Sequence, residues 1–349
     1  MMIDRRTLLG GAAGGFALIG AQARAAGASP VAFDKSAVVH AAAKLLRDTY
    51  VDPAQATRLA DLLLANLKAG SYDAISDPVE FASRLTDDLR AATHDLHLNV
   101  EYDPPEPQPE NAEIIAEDDL HPRITGYGVQ TVARLPGNIG LLRVTHFPSP
   151  PKRFADRYAA AMDLLQDTDA LVLDLTINHG GGADTSAFFL SYFLDPGIVV
   201  SRSISRNAPS EILSTEAKVP GPRYGTARPM FVAISGNTFS AGEGVSATLK
   251  KLGRAKLVGA RTRGGAHMGD TVKLPDGFQI FVVTGKGEGP DWEGIGVAPD
   301  VAVQPEYAVA TAHRLAQEAL LLKATDPKRA QVLRNVLGHS IENLSSFSF

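Results

Sequence analysis

Residues 230–252 read MFVAISGNTFSAGEGVSATLKKL and give the clearest indication of the fold class. The apolar run that starts at Met230 predicts a buried strand, and the segment from Gly244 to Leu252 predicts a helix that Gly253 ends. Ser240 falls at the junction between them. A hydroxyl placed there can face a cleft, and the first amides of the helix can stabilise an anion. This arrangement favours acyl-transfer chemistry.

A simpler interpretation of the same segment is structural. Ser240 and Glu243 form the Ser-x-x-Glu pattern of a capping box, in which the serine caps the helix and the glutamate binds back to the backbone. The two interpretations are compatible, because Glu243 can bind the backbone while the serine hydroxyl faces a cleft. The rest of the chain has to distinguish a nucleophile from a helix cap.

The composition excludes several classes of function. The chain has 349 residues, a net charge of −5 and no cysteine, which rules out disulfides, thiolate metal sites and thiol catalysis. It has no basic block or interleaved basic and aromatic run, so we expect no nucleic-acid partner. No group of histidines has metal-ligand spacing, and the glycine-rich loop at 180–182 lacks the Lys-Ser/Thr ending of a phosphate loop. We therefore predict neither a metal nor a cofactor.

The first residues have the pattern of an export signal. Arg5-Arg6 is followed by a weakly apolar, glycine-rich run and then by small residues around Ala25. This pattern predicts a cleavable twin-arginine-type signal in residues 1–26. The expected location is periplasmic or secreted, with no permanent membrane anchor after cleavage.

Hydrophobic periodicity divides the remaining chain into regions. Strands that alternate with helices predict an α/β fold with a layered core and a mostly parallel sheet. Within this pattern, 93–100 predicts the start of a strand, and 205–227 predicts a polar excursion. The predicted regions are a helical domain at 33–97, a Pro/Glu-rich linker or loop at 103–122, an α/β core at 123–305 and a C-terminal helical segment at 306–349.

Several ordered motifs together carry a family resemblance. They are Asp95-Leu96-His97, Asp174 through Gly182, Thr238 through Glu243, Val258 through His267 and Trp292 through Asp300. With these motifs the chain resembles the tail-specific (C-terminal processing) serine peptidases of family S41. It is most similar to the branch typified by the interphotoreceptor retinoid-binding protein repeats and the tricorn core protease. The resemblance implies a layered ClpP/crotonase-like core and a small N-terminal helical bundle.

The chain departs from that family at two points. Processing peptidases usually carry a PDZ domain before the core, and the stretch at 103–122 is too short for one. They also use a Ser–Lys dyad whose lysine lies in a glycine-rich turn. Here that turn, residues 262–267, reads TRGGAH and contains no lysine, so a Ser–Lys mechanism through that position is excluded.

The resemblance to the tricorn branch supplies another base. It implies that His97 is the general base, that Glu293 orients it and that Ser240 is the nucleophile. His267 lies in the turn that replaces the lysine and is the alternative base or a substrate contact. The structural alternatives are a polar histidine at a strand start for His97 and a surface carboxylate for Glu293.

The glycine-rich loop after the strand ending at Asp174-Leu175 is a natural oxyanion hole. Glycines allow close approach of backbone amides to a substrate, and Gly180 or Gly181 would be one donor, with the amide of Ala241 as the second. The alternative role of the loop is a tight turn between a strand and a helix.

These observations predict an exported serine-type peptidase that hydrolyses peptides or protein tails through a Ser-His-Glu arrangement. Its partner would be a peptide or unfolded protein substrate, and the sequence leaves the oligomeric state open. The alternative is a non-catalytic or weakly catalytic binding protein for an apolar ligand or a peptide on the same scaffold.

Overall fold

The computed structural model of the protein describes residues 32–104, 123–288 and 292–342. The predicted signal segment and nearly all of the predicted linker at 103–122 lie outside these residues. Among the described helices, none has the length and apolar character needed to cross a membrane.

The described chain forms eight helices and eleven strands. The helices are α1 (Lys35–Thr49), α2 (Pro53–Lys68), α3 (Pro78–Thr93), α4 (Pro151–Leu165), α5 (Ala183–Leu190), α6 (Ala241–Lys251), α7 (Ala308–Lys323) and α8 (Pro327–Glu342). The strands are β1 (Asn99–Tyr102), β2 (Val129–Leu135), β3 (Ile139–Val144), β4 (Ala170–Asp174), β5 (Val199–Ser205), β6 (Glu211–Ser214), β7 (Met230–Ile234), β8 (Lys256–Gly259), β9 (His267–Lys273), β10 (Phe278–Gly287) and β11 (Val301–Ala302).

The larger sheet has the strand order β11-β8-β7-β4-β3-β2 and is parallel except for β2, which runs antiparallel to β3. Strands β4 and β7 are buried at every residue, as expected for central strands of a parallel sheet covered on both faces. Asp174 at the end of β4 pairs with Ala233 near the end of β7, so the loops that follow these strands lie side by side. The predicted α/β class with a mostly parallel sheet is confirmed.

The second sheet is antiparallel, with the order β1-β10-β5-β6 and with β9 also paired to β10. Strand β6 lies in the region predicted as a polar excursion, and that prediction is wrong. Its residues are almost all exposed, so the strand has no apolar periodicity by which the sequence could reveal it.

The three N-terminal helices are confirmed, but they do not form a core of their own. Their buried faces share one hydrophobic cluster with β10. Phe81 of α3, for example, packs edge-on against Phe278 with the ring centroids 5.6 Å apart. The helical region is therefore packed on the antiparallel sheet.

The structure differs from the predicted strand at 93–100 in the segment that follows α3. Helix α3 continues to Thr93, and His94 ends it in the left-handed conformation with φ 60°. The side chain of Asp95 then accepts a hydrogen bond from the amide of His97 (3.0 Å), which gives a turn in place of an extended chain. Strand β1 begins only at Asn99, and the turn fixes where His97 lies.

Candidate active site

Ser240 lies where β7 passes into α6, and it is half-buried. Its backbone has φ 51° and ψ −120°, a conformation that costs a non-glycine residue about 1–3 kcal/mol and is most often kept at functional sites. The surrounding loop holds this conformation in place. The amide of Phe239 donates to the carbonyl of Asn178 (2.9 Å), and the hydroxyl of Thr238 donates to the carbonyl of Leu175 (2.8 Å).

Gly180 of the glycine-rich loop lies directly against Ser240. A Cβ atom at Gly180, which has φ 94°, would lie only 2.7 Å from the Ser240 Cβ and 3.1 Å from the Ala241 nitrogen. The structure therefore brings together the predicted nucleophile and the predicted oxyanion-hole loop. Only glycine permits this approach.

The amide of Gly180 was predicted as one possible donor of the oxyanion hole. It donates to Oδ1 of Asn178 (2.9 Å), so it is already engaged within the loop. Of the predicted donors, Gly181 and Ala241 remain. Gly181 has φ 124° and is pressed against the backbone of Phe147, with which its neighbours Gly180 and Gly182 exchange hydrogen bonds.

Asn178 organises the nucleophile region and was not singled out from the sequence. It is fully buried, and its Nδ2 donates to the carbonyl of Val144 (2.9 Å) while its Oδ1 accepts from Gly180. Its Oδ1 also lies 2.4 Å from where a Cβ of Gly242 would be. The available signal was an asparagine at the start of a glycine-rich loop, which is common for turns and not specific to a site.

Glu243 connects the nucleophile to the glycine-rich turn at 262–267. Its carboxylate is completely buried and accepts hydrogen bonds from four donors, namely the amides of Ser240 (2.9 Å), Gly264 (2.8 Å) and Gly265 (2.7 Å) and the hydroxyl of Thr262. The predicted bond from Glu243 back to the helix cap is confirmed. Burial raises the pKa of Glu243, and these hydrogen bonds offset only part of that effect.

His97 packs beside the nucleophile segment. Its ring centroid lies 4.6 Å from that of Phe239, the residue before Ser240, and 5.7 Å from that of Phe281. Gly265 leaves room for it, since a Cβ there would lie 2.7 Å from the His97 Cε1. Within the described part of the chain, neither ring nitrogen has a hydrogen-bond partner, so no Ser240–His97 hydrogen bond is formed.

Glu293 lies near His97, as the resemblance implied. Its Oε2 is 3.8 Å from the His97 Nδ1, which is longer than a hydrogen bond. The same oxygen accepts from the amides of Ala266 (2.6 Å) and His267 (3.1 Å). Glu293 is therefore fixed to the glycine-rich turn and faces His97 without a direct bond.

His267 also reaches this cluster through Asp95. The His267 Nδ1 lies 2.7 Å from Oδ2 of Asp95, which is 1% exposed. Burial alone would raise the pKa of Asp95, but the hydrogen bond and charge of His267 and the amide of His97 outweigh burial and hold that pKa below its usual range. Asp95 lies in the Asp95-Leu96-His97 motif of the family resemblance, but it was not predicted as a site residue.

Arg263 adds positive charge next to the same cleft, and this charge acts on His179. The Arg263 guanidinium lies 5.2 Å from the centroid of the Phe239 ring, as in a cation–π contact. Partial burial and then the charge of Arg263 lower the pKa of His179 in the glycine-rich loop. His179 therefore favours its neutral form.

Two solved structures show the same fold. A lipoprotein from Streptococcus agalactiae aligns with a TM-score of 0.55 at 16% identity and covers 79% of this chain and 94% of its own. A protein from Parabacteroides merdae aligns with a TM-score of 0.52 at 15% identity and covers 91% of this chain and 100% of its own. At these identities the likeness concerns the fold alone.

Sequence relatives point to the family. The carboxy-terminal-processing protease of Bartonella bacilliformis is 31% identical over 180 residues, which are 49% of this chain and 40% of that protein. The chloroplastic carboxyl-terminal-processing peptidase 2 of Arabidopsis thaliana is 28% identical over 180 residues, which are 48% of this chain and 34% of that protein. The chain thus matches less than half the length of these relatives.

Two family models match consecutive parts of the sequence. Residues 32–127 match the N-terminal domain of peptidase family S41 in eukaryotic IRBP, and residues 138–303 match peptidase family S41 itself. The second match includes the loops after β4 and β7 and the glycine-rich turn. The chain belongs to peptidase family S41.

Proposed function

We propose that the protein is a serine-type peptidase in which Ser240 is the nucleophile, His97 the general base and Glu293 the carboxylate that orients His97. The observation that carries this proposal is the strained backbone of Ser240 at the start of α6, with Gly180 packed against it. Such strain needs a compensating function, and a nucleophile presented at a helix N-terminus provides one.

The proposed reaction follows the general course of serine hydrolysis. The Ser240 oxygen attacks the peptide carbonyl carbon while its proton passes to His97, and the amides of Gly181 and Ala241 stabilise the oxyanion. The carbon–nitrogen bond then breaks as His97 returns the proton to the leaving amine. Water, activated by His97, hydrolyses the resulting ester and regenerates Ser240.

His97 has to move before it can act as the base. His97 has to turn so that Nδ1 meets Glu293, now 3.8 Å away, and Nε2 meets the Ser240 hydroxyl. Catalytic hydrogen bonds are often long without substrate and tighten when it binds. His267 is the alternative base, because its Nδ1 is already bound to Asp95 in the way that a carboxylate orients a catalytic histidine.

The relatives suggest the substrate class. Their names describe processing of carboxyl termini, so we propose that peptides or unfolded protein tails are cleaved. The predicted absence of a PDZ domain favours short peptides at least as much as intact proteins. The predicted signal in residues 1–26 supports export to the periplasm or beyond, and this location remains part of the proposal.

A binding function without turnover is the second candidate. The observation in its favour is that His97 makes no hydrogen bond to Ser240 in the described structure. Such a protein would use the same cleft to hold an apolar ligand or a peptide.

Labelling with a fluorophosphonate probe, followed by peptide mapping, tests the proposal. We expect wild type to be modified at Ser240, Ser240→Ala to be unmodified, and Ser246→Ala to be modified like wild type. Ser246 is a matched control because it lies in the same helix but is buried, with its hydroxyl donating to the carbonyl of Gly242 (2.8 Å). Absence of labelling, together with no detectable hydrolysis of an unfolded protein by wild type, would exclude the peptidase and favour the binding function.

A further inference from the structure

Four side chains from three distant segments converge beside the nucleophile, and we call them the His/carboxylate cluster. Asp95 and His97 come from the turn after α3, His267 begins β9, and Glu293 lies between β10 and β11. One ligand atom each from Asp95, His267 and Glu293 lies within 4.8 Å of the others. The His267 Nδ1 is 2.7 Å from Oδ2 of Asp95 and 3.7 Å from Oε2 of Glu293.

His97 gives an independent indication that this cluster binds a ligand. Its side chain is only 6% exposed, and neither ring nitrogen has a hydrogen-bond partner among the residues that the structure describes. Its Nδ1 lies 3.8 Å from Oδ1 of Asp95 and 3.8 Å from Oε2 of Glu293. A buried polar atom without a partner is unfavourable, and a cation between these groups would give the His97 Nδ1 a partner.

We propose that the His/carboxylate cluster is a binding site for one divalent transition-metal ion, with Zn²⁺ as the best match. Two imidazole nitrogens and two carboxylates are a ligand set that suits Zn²⁺, whereas Ca²⁺ and Mg²⁺ prefer oxygen ligands alone. The site was not expected from the sequence, because its ligands lie in separate segments with no motif spacing.

The distances are close to those that a tetrahedral ion requires. Metal–ligand bonds of about 2.0–2.1 Å place neighbouring ligand atoms about 3.3 Å apart in a tetrahedral site. The 3.7 Å and 3.8 Å separations need to contract slightly, and the 2.7 Å contact between Asp95 and His267 needs to open as the ion replaces the hydrogen bond. These are side-chain adjustments within a cluster whose backbone is held by turns and strands.

The proposed ion would inhibit the proposed peptidase, and this consequence rests on His97 being the base. A metal bound at Nδ1 of a neutral imidazole leaves the ring proton on Nε2. Nε2 is then a donor and is unable to accept the proton of Ser240. The same ion also engages Glu293, so the orienting carboxylate is lost as well.

Co²⁺ absorption spectroscopy tests the site independently of catalysis. The protein is the full chain carrying Ser240→Ala, purified without a histidine tag, and Co²⁺ alone is the probe. We expect saturable binding of one ion per chain with the strong visible bands of four-coordinate Co²⁺, which added Zn²⁺ abolishes. Absence of these bands, or only the weak spectrum of six-coordinate Co²⁺, would overturn the proposal whether or not Ser240 is a nucleophile.

Variants locate the ion within the cluster. His267→Asn and Glu293→Gln should each weaken Co²⁺ affinity at least about tenfold. His94→Asn is the matched control, because His94 is exposed, lies three positions from His97 and has a left-handed backbone that asparagine tolerates. Circular dichroism checks folding, and Zn²⁺ should raise the Tm of His94→Asn but not that of His267→Asn. Unchanged affinity in both cluster variants would contradict the site.

The inhibitory role is measured in wild type. Zn²⁺ at concentrations that saturate the site should lower peptide hydrolysis at least about tenfold, and a chelator should restore it. Full hydrolysis with a saturated site would show that His97 is not a ligand and would overturn the proposal. If fluorophosphonate labelling of Ser240 fails while the Co²⁺ site is present, the proposed peptidase is wrong and the metal site stands.

Discussion

In the half of the site that carries Ser240, nearly every polar contact involves the backbone, whereas in the half that carries His97 the two carboxylates accept from backbone amides but the His97 ring has no hydrogen-bond partner among the described residues. The nucleophile half consists of the loops after β4 and β7, tied by Asn178 and Glu243 to neighbouring amides and carbonyls. The base half is the His/carboxylate cluster, where Asp95–His267 is a short contact and both separations from the His97 Nδ1 are 3.8 Å.

This difference separates a fixed half from an adjustable one. Backbone atoms bound on both sides move little, so the position of Ser240 is preorganised before any substrate arrives. The His97 ring, which no hydrogen bond holds among the described residues, can rotate, and the base half therefore leaves room for either of the two proposed bases and for the proposed metal ion. Substitutions in the two halves should consequently have different signatures.

The largest expected effect falls on activity in the base half. His97→Ala should lower kcat/KM about 1000-fold, because general acid–base catalysis contributes about 100- to 10,000-fold. His267→Ala should lower it much less, since His267 would act only through Asp95. Steady-state hydrolysis of one peptide by both variants measures this. The reverse order of losses would transfer the role of base to His267.

The next effect is a loss of stability in the nucleophile half. Each oxygen of Glu243 accepts two donors, and glutamine would turn its NH₂ group toward one of these pairs. Glu243→Gln should therefore lower the free energy of unfolding by about 4 kcal/mol, as two buried donors lose their acceptor. Urea denaturation measures the change. Glu306→Gln, at an exposed position, is the control and should differ from wild type by less than about 0.5 kcal/mol.

A smaller loss of stability should follow when a methyl group is placed between the loops after β4 and β7. Gly180→Ala should lower the free energy of unfolding by about 2–3 kcal/mol and abolish labelling of Ser240, because the new methyl group meets the Ser240 Cβ. Gly197→Ala is a control that separates the cost of the backbone conformation from the cost of the steric contact. Gly197 also has a positive φ (76°), but no atom lies within 4 Å of an added Cβ. This substitution should cost about 1 kcal/mol and leave labelling intact. Equal effects of both substitutions would argue against close contact at Ser240.

The smallest expected effect concerns a pKa at the edge of the cleft. Arg263→Gln should raise the pKa of His179, because a nearby positive charge that opposes protonation is removed while the partial burial remains. Because the pKa of His179 is lower in the folded state than in the unfolded state, its neutral form contributes stability at pH values above the unfolded-state pKa. That stability is lost as the pH falls through the folded-state pKa. Arg263→Gln should therefore reduce the loss of stability that acid causes through His179. NMR titration of His179 measures the shift, and an unchanged pKa would contradict the electrostatic link.

The nucleophile half was largely predictable because its signals are local. The apolar run of β7 and the Ser-x-x-Glu pattern placed Ser240 at a strand–helix junction, and the glycines after β4 indicated a loop that approaches another group closely. The engagement of the Gly180 amide by Asn178 was not predictable, since it depends on where one side chain points after folding.

The base half was predictable only through the family resemblance. The motifs at His97 and Glu293 suggested their roles, but nothing in the sequence pairs Asp95 with His267 across 172 positions. The antiparallel sheet that brings them together includes the exposed strand β6 and the β1–β10 pairing, neither of which has a distinctive local pattern. The structure of the base half is therefore determined by strand pairing between distant segments and not by the local conformational preferences of its residues.

The pairing of β1 with β10 also has a consequence for the timing of folding. Val100 pairs with Ile280, so the turn that carries His97 gains its supporting strand only after most of the chain has been synthesised. Contacts of such high sequence separation close large loops and generally form late. A growing or truncated chain would therefore have a serine loop without the supported turn of His97, the proposed base, and this would delay the proposed peptidase activity until the molecule is nearly complete.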